Sequence, residues 1–400
     1  MNLQVEPPQE KKKKKKIKNS SPPSFSLLPD EIAMNCLARI SRSYYPTLSV
    51  VSKSFRSIIS STELYAARSH IGTTEQCLYV CIREHESRFP QWFTLWINPN
   101  RTLPDSMIRT RRRKKKKKTI GQLLVPITYS KFPSLSVSTV VGSELYIIGR
   151  PVYGAPSSAV RVLDCRSHTW RDAPSMNVAR RNPHTCAYNG KIYVMGGCED
   201  ESWAEVFDTK TQVWERLPDP DSEIRKCLIY KIAEIEGKLN FGNHEEMYAY
   251  DTKHCRWEKC VPDKFETVAR LKCMIENVSY SFNPEAIHFC LREFQWYDEE
   301  KGYWKGINGL NSLFHKFMKN GGSMYYMTHL VSCGGKLIFL WPGYMKHNPN
   351  NTNKIWCAVI VVEKRRGSDG DEVWGNVEWV DVVHTVPISC DLLECIVVSV

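Results

Sequence analysis

Tyr188-Asn189-Gly190-Lys191-Ile192-Tyr193-Val194-Met195-Gly196-Gly197, followed by Ala204-Glu205-Val206-Phe207-Asp208 and then Trp214, is the stretch on which the fold turns. A glycine ahead of Lys-Ile-Tyr suits a tight turn between two strands, because positive φ costs glycine little. The aliphatic run Ile192 to Met195 reads as a strand buried on both faces. Gly196-Gly197 ends that strand and permits close approach of backbones near a central axis. The segment from Asp208 to Trp214 closes an outer hairpin, where the indole is large enough to cover the gap to the next sheet.

The same pattern recurs on both sides. Upstream stand Val140-Val141-Gly142-Ser143-Glu144-Leu145-Tyr146-Ile147-Ile148-Gly149, then Val160 to Asp164, then Trp170; Asp164 to Asp208 and Trp170 to Trp214 are each 44 residues. Downstream come Gly237-Lys238-Leu239-Asn240-Phe241-Gly242, Met247 to Asp251 and Trp257, with Trp214 to Trp257 at 43 residues. A weaker copy holds Glu276 to Tyr280, Phe294 to Asp298 and Trp304, at a step of 47 residues. A fifth opens at Cys333-Gly334-Gly335-Lys336-Leu337, continues through Ile355 to Val362, and resumes after an acidic, glycine-bearing hairpin at Val373-Trp374 and Trp379-Val380. Only Gly196-Gly197 is an intact double glycine at its place; Gly149-Arg150 and Phe241-Gly242 are partial, and Gly334-Gly335 belongs to a turn. One such sheet leaves both faces wet, so a closed ring is needed to bury them.

These units resemble the kelch repeat, whose period is about 50 residues and whose unit is one blade of a β-propeller. The resemblance implies a mainly β chain with a propeller of six blades, five being the alternative. Its repeats run over 137–400, in units of about 140–187, 188–234, 235–275, 276–320 and 330–383. Strands at 77–97, Cys77 to Ile82 and Trp92 to Ile97, are predicted to pair with a closing strand at 393–399 and fasten the ends together.

Ahead of the first strands the period changes. Leu28-Pro29-Asp30-Glu31-Ile32 opens a helix, with Asp30 as its N-cap and Ile32, Cys36, Leu37 and Ile40 on one face. Ser41 to Pro46 breaks it. A second pattern sets Leu48, Val51, Phe55 and Ile58 at steps of three and four, and a third helix begins at Ser61 or Thr62. A unit of this size is near the limit for independent folding, so its apolar stripe reads either as its own core or as a surface awaiting a partner.

Residues 24–66 resemble an F-box, through Leu28-Pro29-Asp30-Glu31-Ile32, Leu37-Ala38-Arg39-Ile40, Val51-Ser52-Lys53 and Phe55-Arg56-Ser57-Ile58-Ile59. Phe55 stands where Trp is commoner, and Ser52-Lys53 where Cys-Lys or Cys-Arg is frequent. The resemblance implies docking on a Skp-type adaptor, and through it a cullin, by Leu28, Pro29, Ile32, Leu37, Ile40, Leu48, Val51, Phe55 and Ile58. An F-box followed by degenerate kelch units is similar to plant F-box/kelch proteins, substrate receptors of SCF-type cullin-RING ubiquitin ligases. Light-sensing relatives carry a flavin domain ahead of the F-box, for which residues 1–24 are too short, so no cofactor is implied. The rivals are a kelch scaffold outside any ligase and a metal-dependent kelch enzyme.

Charge does not point to nucleic acid. The formal net charge of +12 over 400 residues is concentrated in two runs, Lys11 to Lys16 with Lys18 and Arg111 to Lys118, and the rest of the chain sums to −3. Neither run is interleaved with aromatics for base stacking. Both are candidate import signals, giving an expected cytoplasmic and/or nuclear location. Residues 1–23 read as a disordered basic arm and 98–119 as a basic insertion loop. No apolar run reaches bilayer-spanning length, and no membrane partner is expected. The 15 cysteines include no CxxC, and those on apolar strands, such as Cys77, Cys186, Cys290 and Cys357, read as small buried hydrophobes.

Catalytic patterns are missing from the sequence: no GxSxG, HExxH, phosphate-cradling loop or dinucleotide fingerprint occurs. Arg292-Glu293 and Glu299-Glu300 read as solvated strand ends, and His184, His244, His254 and His315 as loop residues more often structural than ligating. The sequence therefore predicts a non-enzymatic receptor whose target protein is unknown. Segments 150–158, 197–203 and 343–353 are its candidate recognition loops.

Overall fold

The computed structural model describes residues 28–84, 89–95, 124–127, 137–149, 155–198, 202–229, 231–242, 246–260, 272–283, 293–322, 327–343, 352–368, 370–388 and 390–400. The basic arm, the insertion 98–119, His244, Cys290 and Arg292 lie outside the described residues, as do 150–154, 199–201 and 344–351 of the recognition loops. The chain divides into two compact units, Met1–Ile71 and Gly72–Val400.

The first unit is helical: α1 (Asp30–Ala38), a 3-10 turn (Arg42–Tyr44), α2 (Tyr45–Leu48), α3 (Lys53–Ile59) and α4 (Thr62–His70). Two sequence expectations need correction. Pro29, not Asp30, holds the N-cap position of α1, its carbonyl accepting from the Ile32 and Ala33 amides at 3.0 Å each, so Asp30 sits in the first turn where its charge suits the helix dipole. The pattern from Leu48 to Ile58 is two helices, because Ser52 takes extended backbone and its hydroxyl accepts from the Phe55 amide at 3.0 Å, starting a new helix.

The second unit is six four-stranded antiparallel sheets, a six-bladed propeller. In chain order come β1 (Gln76–Glu84), β2 (Gln91–Leu95) and β3 (Leu124–Pro126), and then one sheet each from β4 (Val137–Val141), β5 (Glu144–Ile148), β6 (Val160–Asp164) and β7 (Thr169–Ala173), and from β8 (His184–Tyr188), β9 (Lys191–Met195), β10 (Ala204–Asp208) and β11 (Val213–Arg216). After α5 (Ser222–Lys226), the third sheet holds β12 (Lys231–Ile235), β13 (Lys238–Gly242), β14 (Met247–Asp251) and β15 (Arg256–Cys260). The fourth holds β16 (Lys272–Ile275), β17 (Val278–Phe282), β18 (Phe294–Asp298) and β19 (Tyr303–Gly306). Beyond α6 (Asn311–Lys319) come β20 (His329–Cys333), β21 (Lys336–Gly343), β22 (Thr352–Gly367) and β23 (Gly370–Pro387). The last strand, β24 (Cys390–Ser399), returns to pair with β1, Cys77 facing Val398 and Val80 facing Cys395. Both ends of the propeller are thus held in one sheet.

The sheets are out of step with the sequence units by one strand. A unit opening at Tyr188 cuts the hairpin between β8 and β9, yet Asn189 and Gly190 take φ of 49° and 74° and join those strands within one sheet. Glu236-Gly237 and Gly334-Gly335 repeat the device, and Glu276-Asn277 performs it without a glycine. Each of the first four blades then ends its third strand in an aspartate whose carboxylate accepts a backbone amide two residues on: Asp164 from Arg166, Asp208 from Lys210, Asp251 from Lys253, Asp298 from Glu300.

The tryptophan six residues after that aspartate faces the third strand, in the pairs Leu163–Trp170, Phe207–Trp214, Tyr250–Trp257 and Tyr297–Trp304. Its gap is the one to the preceding blade, not the next. Trp214 Nε1 donates to the Pro174 carbonyl at 2.8 Å and Trp257 Nε1 to Pro218 at 2.7 Å. The apolar cores accordingly lie between blades, as where Tyr146, Val160 and Met176 meet Ile192, Phe207 and Trp214.

Candidate docking surface and recognition face

The helical unit builds a small core of its own from Ala33, Leu37, Ala38, Tyr45, Ile58 and Leu64. One buried cation ties it together. Arg68, 1% exposed, reaches from α4 to the end of α1 and donates to the carbonyls of Ala38 and Ile40 and to the Tyr45 hydroxyl at 3.1, 2.7 and 3.0 Å. A guanidinium there satisfies carbonyls that a helix end leaves open and meets the negative pole of its dipole. Tyr45 donates in turn to the Leu37 carbonyl at 3.1 Å, and burial pushes its phenol above the ordinary value. Ser61 caps α4 by accepting from the Leu64 amide, and hydrogen bonding to its own backbone amide and to Ser61 holds Glu63 below the usual carboxylate range.

That core sorts the nine residues expected to dock. Leu28, Pro29, Ile32 and Val51 are exposed; Ile40, Leu48 and Phe55 are half-buried against the core; Leu37 and Ile58 are inside it. Leu37 and Ile58 therefore stand corrected: helical spacing put them on the apolar stripe, but they face inward and pack the unit itself. Asp30 and Glu31 flank the exposed Leu28 and Ile32, and Lys53 and Arg56 flank Val51, all four charges being exposed. The arrangement offers apolar side chains with a charged border, which suits protein docking more than chemistry. Sequence reasoning missed Val50, the most exposed large apolar side chain of the unit at 82%. Its only signal was the Val50-Val51 pair ahead of the Ser52 cap.

In the propeller, strand alternation puts the connections β5 to β6, β9 to β10 and β21 to β22 at one end of the ring, and these are the segments 150–158, 197–203 and 343–353. The opposite end carries the tight turns. At the foot of the second loop, Arg180 and Glu205, both fully buried, form an ion pair at 2.9 Å. Arg180 also donates to the carbonyls of Gly196, Ser202 and Trp203 at 2.8 Å each, while Glu205 accepts from the Asn177 and Val178 amides. Gly197, at φ +76°, lies so close to the Arg181 carbonyl that a Cβ would stand 2.5 Å from its oxygen.

The histidines do not converge. His184 lies on β8 with its pKa lowered by burial, His254 pairs with Asp251 at 2.9 Å, and His315 is on α6. Among the described residues no three or more His, Cys, Asp or Glu side chains are grouped to hold a metal ion. The described cysteines are all free thiols, with Cys77 and Cys357 buried.

Two family models match the chain. The F-box domain covers residues 25–66, and the FKB95 Kelch-repeats domain covers 92–384. Full-length relatives agree. The chain is 61% identical over 412 residues to the F-box/kelch-repeat protein At4g19865 of Arabidopsis thaliana, covering 100% of both chains. It is 59% identical to the F-box/kelch-repeat protein At4g19870 of the same plant, over 96% of this chain and 94% of that one. A putative F-box/kelch-repeat protein, At4g39756, also from Arabidopsis thaliana, is 43% identical over 99% of each.

Proposed function

This chain belongs to the F-box/kelch-repeat family, and from that premise we propose that it is the substrate-recognition subunit of an SCF ubiquitin ligase. Its helical unit docks on a Skp-type adaptor, and through it a cullin; its propeller holds the protein to be ubiquitinated. The observation that carries the reading is the exposure of Leu28, Ile32 and Val51, at 40%, 48% and 65%, on a unit whose core is already filled by other residues. Removing apolar surface from water stabilises a contact by about 25 cal/mol per Å². Those side chains gain that only against a second molecule.

Recognition is assigned to the loop-bearing end of the ring, where the Arg180–Glu205 pair anchors the chain on both sides of the second loop. Such a receptor does no bond-making itself. It raises the effective concentration of target lysines near a ubiquitin-charged enzyme, which is rate enhancement by proximity.

The test is size-exclusion of the purified chain with adaptor and cullin. Wild type co-elutes with both, and Ile32→Asp, on an exposed position, elutes alone while keeping its circular dichroism. Co-elution that survives Ile32→Asp, or a wild type that never associates, refutes the assignment. Proximity labelling with the proteasome blocked, compared with a chain lacking 24–66, then identifies the target.

A further inference from the structure

Val50 and Val51 fill the turn between α2 and α3, and at 82% and 65% exposure they are the most exposed large apolar side chains of the helical unit. The turn is not loose. The Ser49 amide donates to the Tyr45 carbonyl at 2.8 Å, Val50 to Thr47 at 3.4 Å and Val51 to Leu48 at 3.1 Å, and Ser52 caps the following helix. β-Branched side chains on a bonded turn have few rotamers to lose on binding. Nor does local capping account for them. An apolar residue ahead of an N-cap commonly packs on the fourth helical residue, but here that residue is Arg56, which is exposed.

We propose that the Val50-Val51 turn is a second contact of the helical unit with the adaptor, and that Val50, absent from the docking set read from the sequence, is one of its anchors. The surface it meets is an apolar depression on the adaptor, since a β-branched pair bordered by Lys53 and Arg56 needs a dry pocket with a polar or acidic rim. The inference rests on the reading that the adaptor docks at Leu28 and Ile32, and it adds a site from a different element.

The experiment measures the affinity of the full chain for purified adaptor by calorimetry. Variants are Val50→Thr, which keeps shape and adds a hydroxyl, Val50→Asp, and Ile32→Asp as the control for the parent reading. Val50→Thr is expected to weaken binding about fivefold and Val50→Asp at least about thirtyfold, with the melting temperature of the helical unit unchanged. Wild-type affinity for Val50→Asp alongside a loss for Ile32→Asp overturns this inference and leaves the parent reading standing. A wild type that does not bind overturns both. A fall in melting temperature for Val50→Thr would show that the side chain packs within the unit, which also overturns it.

Discussion

Replacing Glu205 with glutamine probes the account of the recognition face most sharply. The carboxylate and its partner Arg180 are both fully buried, and Arg180 spans the carbonyls of Gly196, Ser202 and Trp203. Glu205→Gln keeps the shape but leaves the guanidinium without its counter-charge in a site closed to water. Breaking a buried pair by removing one partner costs about 3–5 kcal/mol. With an unfolding entropy of about 2.1 cal/mol/K per residue, for a propeller unit spanning Gly72–Val400, the expected fall in Tm is about 4–7 °C. Near-UV circular dichroism of the full chain reads it through the tryptophans. Asp172→Asn in the preceding blade supplies the contrast, because its 2.8 Å pair with Arg161 leaves the aspartate 75% exposed, and such pairs contribute about 0–1 kcal/mol. The double variant Arg180→Met/Glu205→Leu should recover part of the loss, since an apolar pair carries no uncompensated charge. A Glu205→Gln melting curve that overlays the wild type, or that matches Asp172→Asn, would refute the reasoning.

Gly196→Ala and Gly197→Ala should separate although both glycines have positive φ: only Gly197 meets backbone at 2.5 Å, so thermal melts should show Gly196→Ala losing about 1 kcal/mol and Gly197→Ala clearly more. Leu37→Ala, at 1% exposure in the helical core, should cost about 2–5 kcal/mol and melt that unit in far-UV circular dichroism, whereas Val51→Ala should leave the melt in place. Burial pushes the Glu394 carboxyl on β24 up to about 7 from an ordinary 4.5. The folded chain therefore keeps a proton that the unfolded chain has released, so stability is fully present below about pH 4.5 and falls as pH rises towards about 7. Glu394→Gln should flatten that slope in melts taken across the window, and parallel slopes would contradict it.

The first three blades were legible because one chemical device repeats: a two-residue turn with positive φ, a buried strand, an aspartate that accepts the following amides, and a tryptophan at fixed distance. The fourth blade faded since Glu276 and Asn277 take φ of 47° and 66° without glycine, hiding the turn while keeping its geometry. The strand phase was misread for a related reason: a turn is the most visible feature of sequence, yet it lies inside a sheet and marks no boundary. Arg180 and Glu205 stand 25 residues apart, and nothing in a polar connection announces that its arginine will be fully buried. Helix α6 also went unread, although Leu313 and Phe317 at a helical step both enter the core between the fourth and fifth blades. In the helical unit, spacing identified the apolar stripe but not its division into inner and outer members, because Leu37 and Ile32 differ in what α4 covers and not in residue type.

Amide hydrogen exchange of the chain alone and with its adaptor tests the central claim most directly. Slowed exchange on adaptor binding is expected across residues 29–34 and 49–53, with 184–216 unchanged. A complex that forms while both helical segments exchange as they do in the free chain would contradict the account.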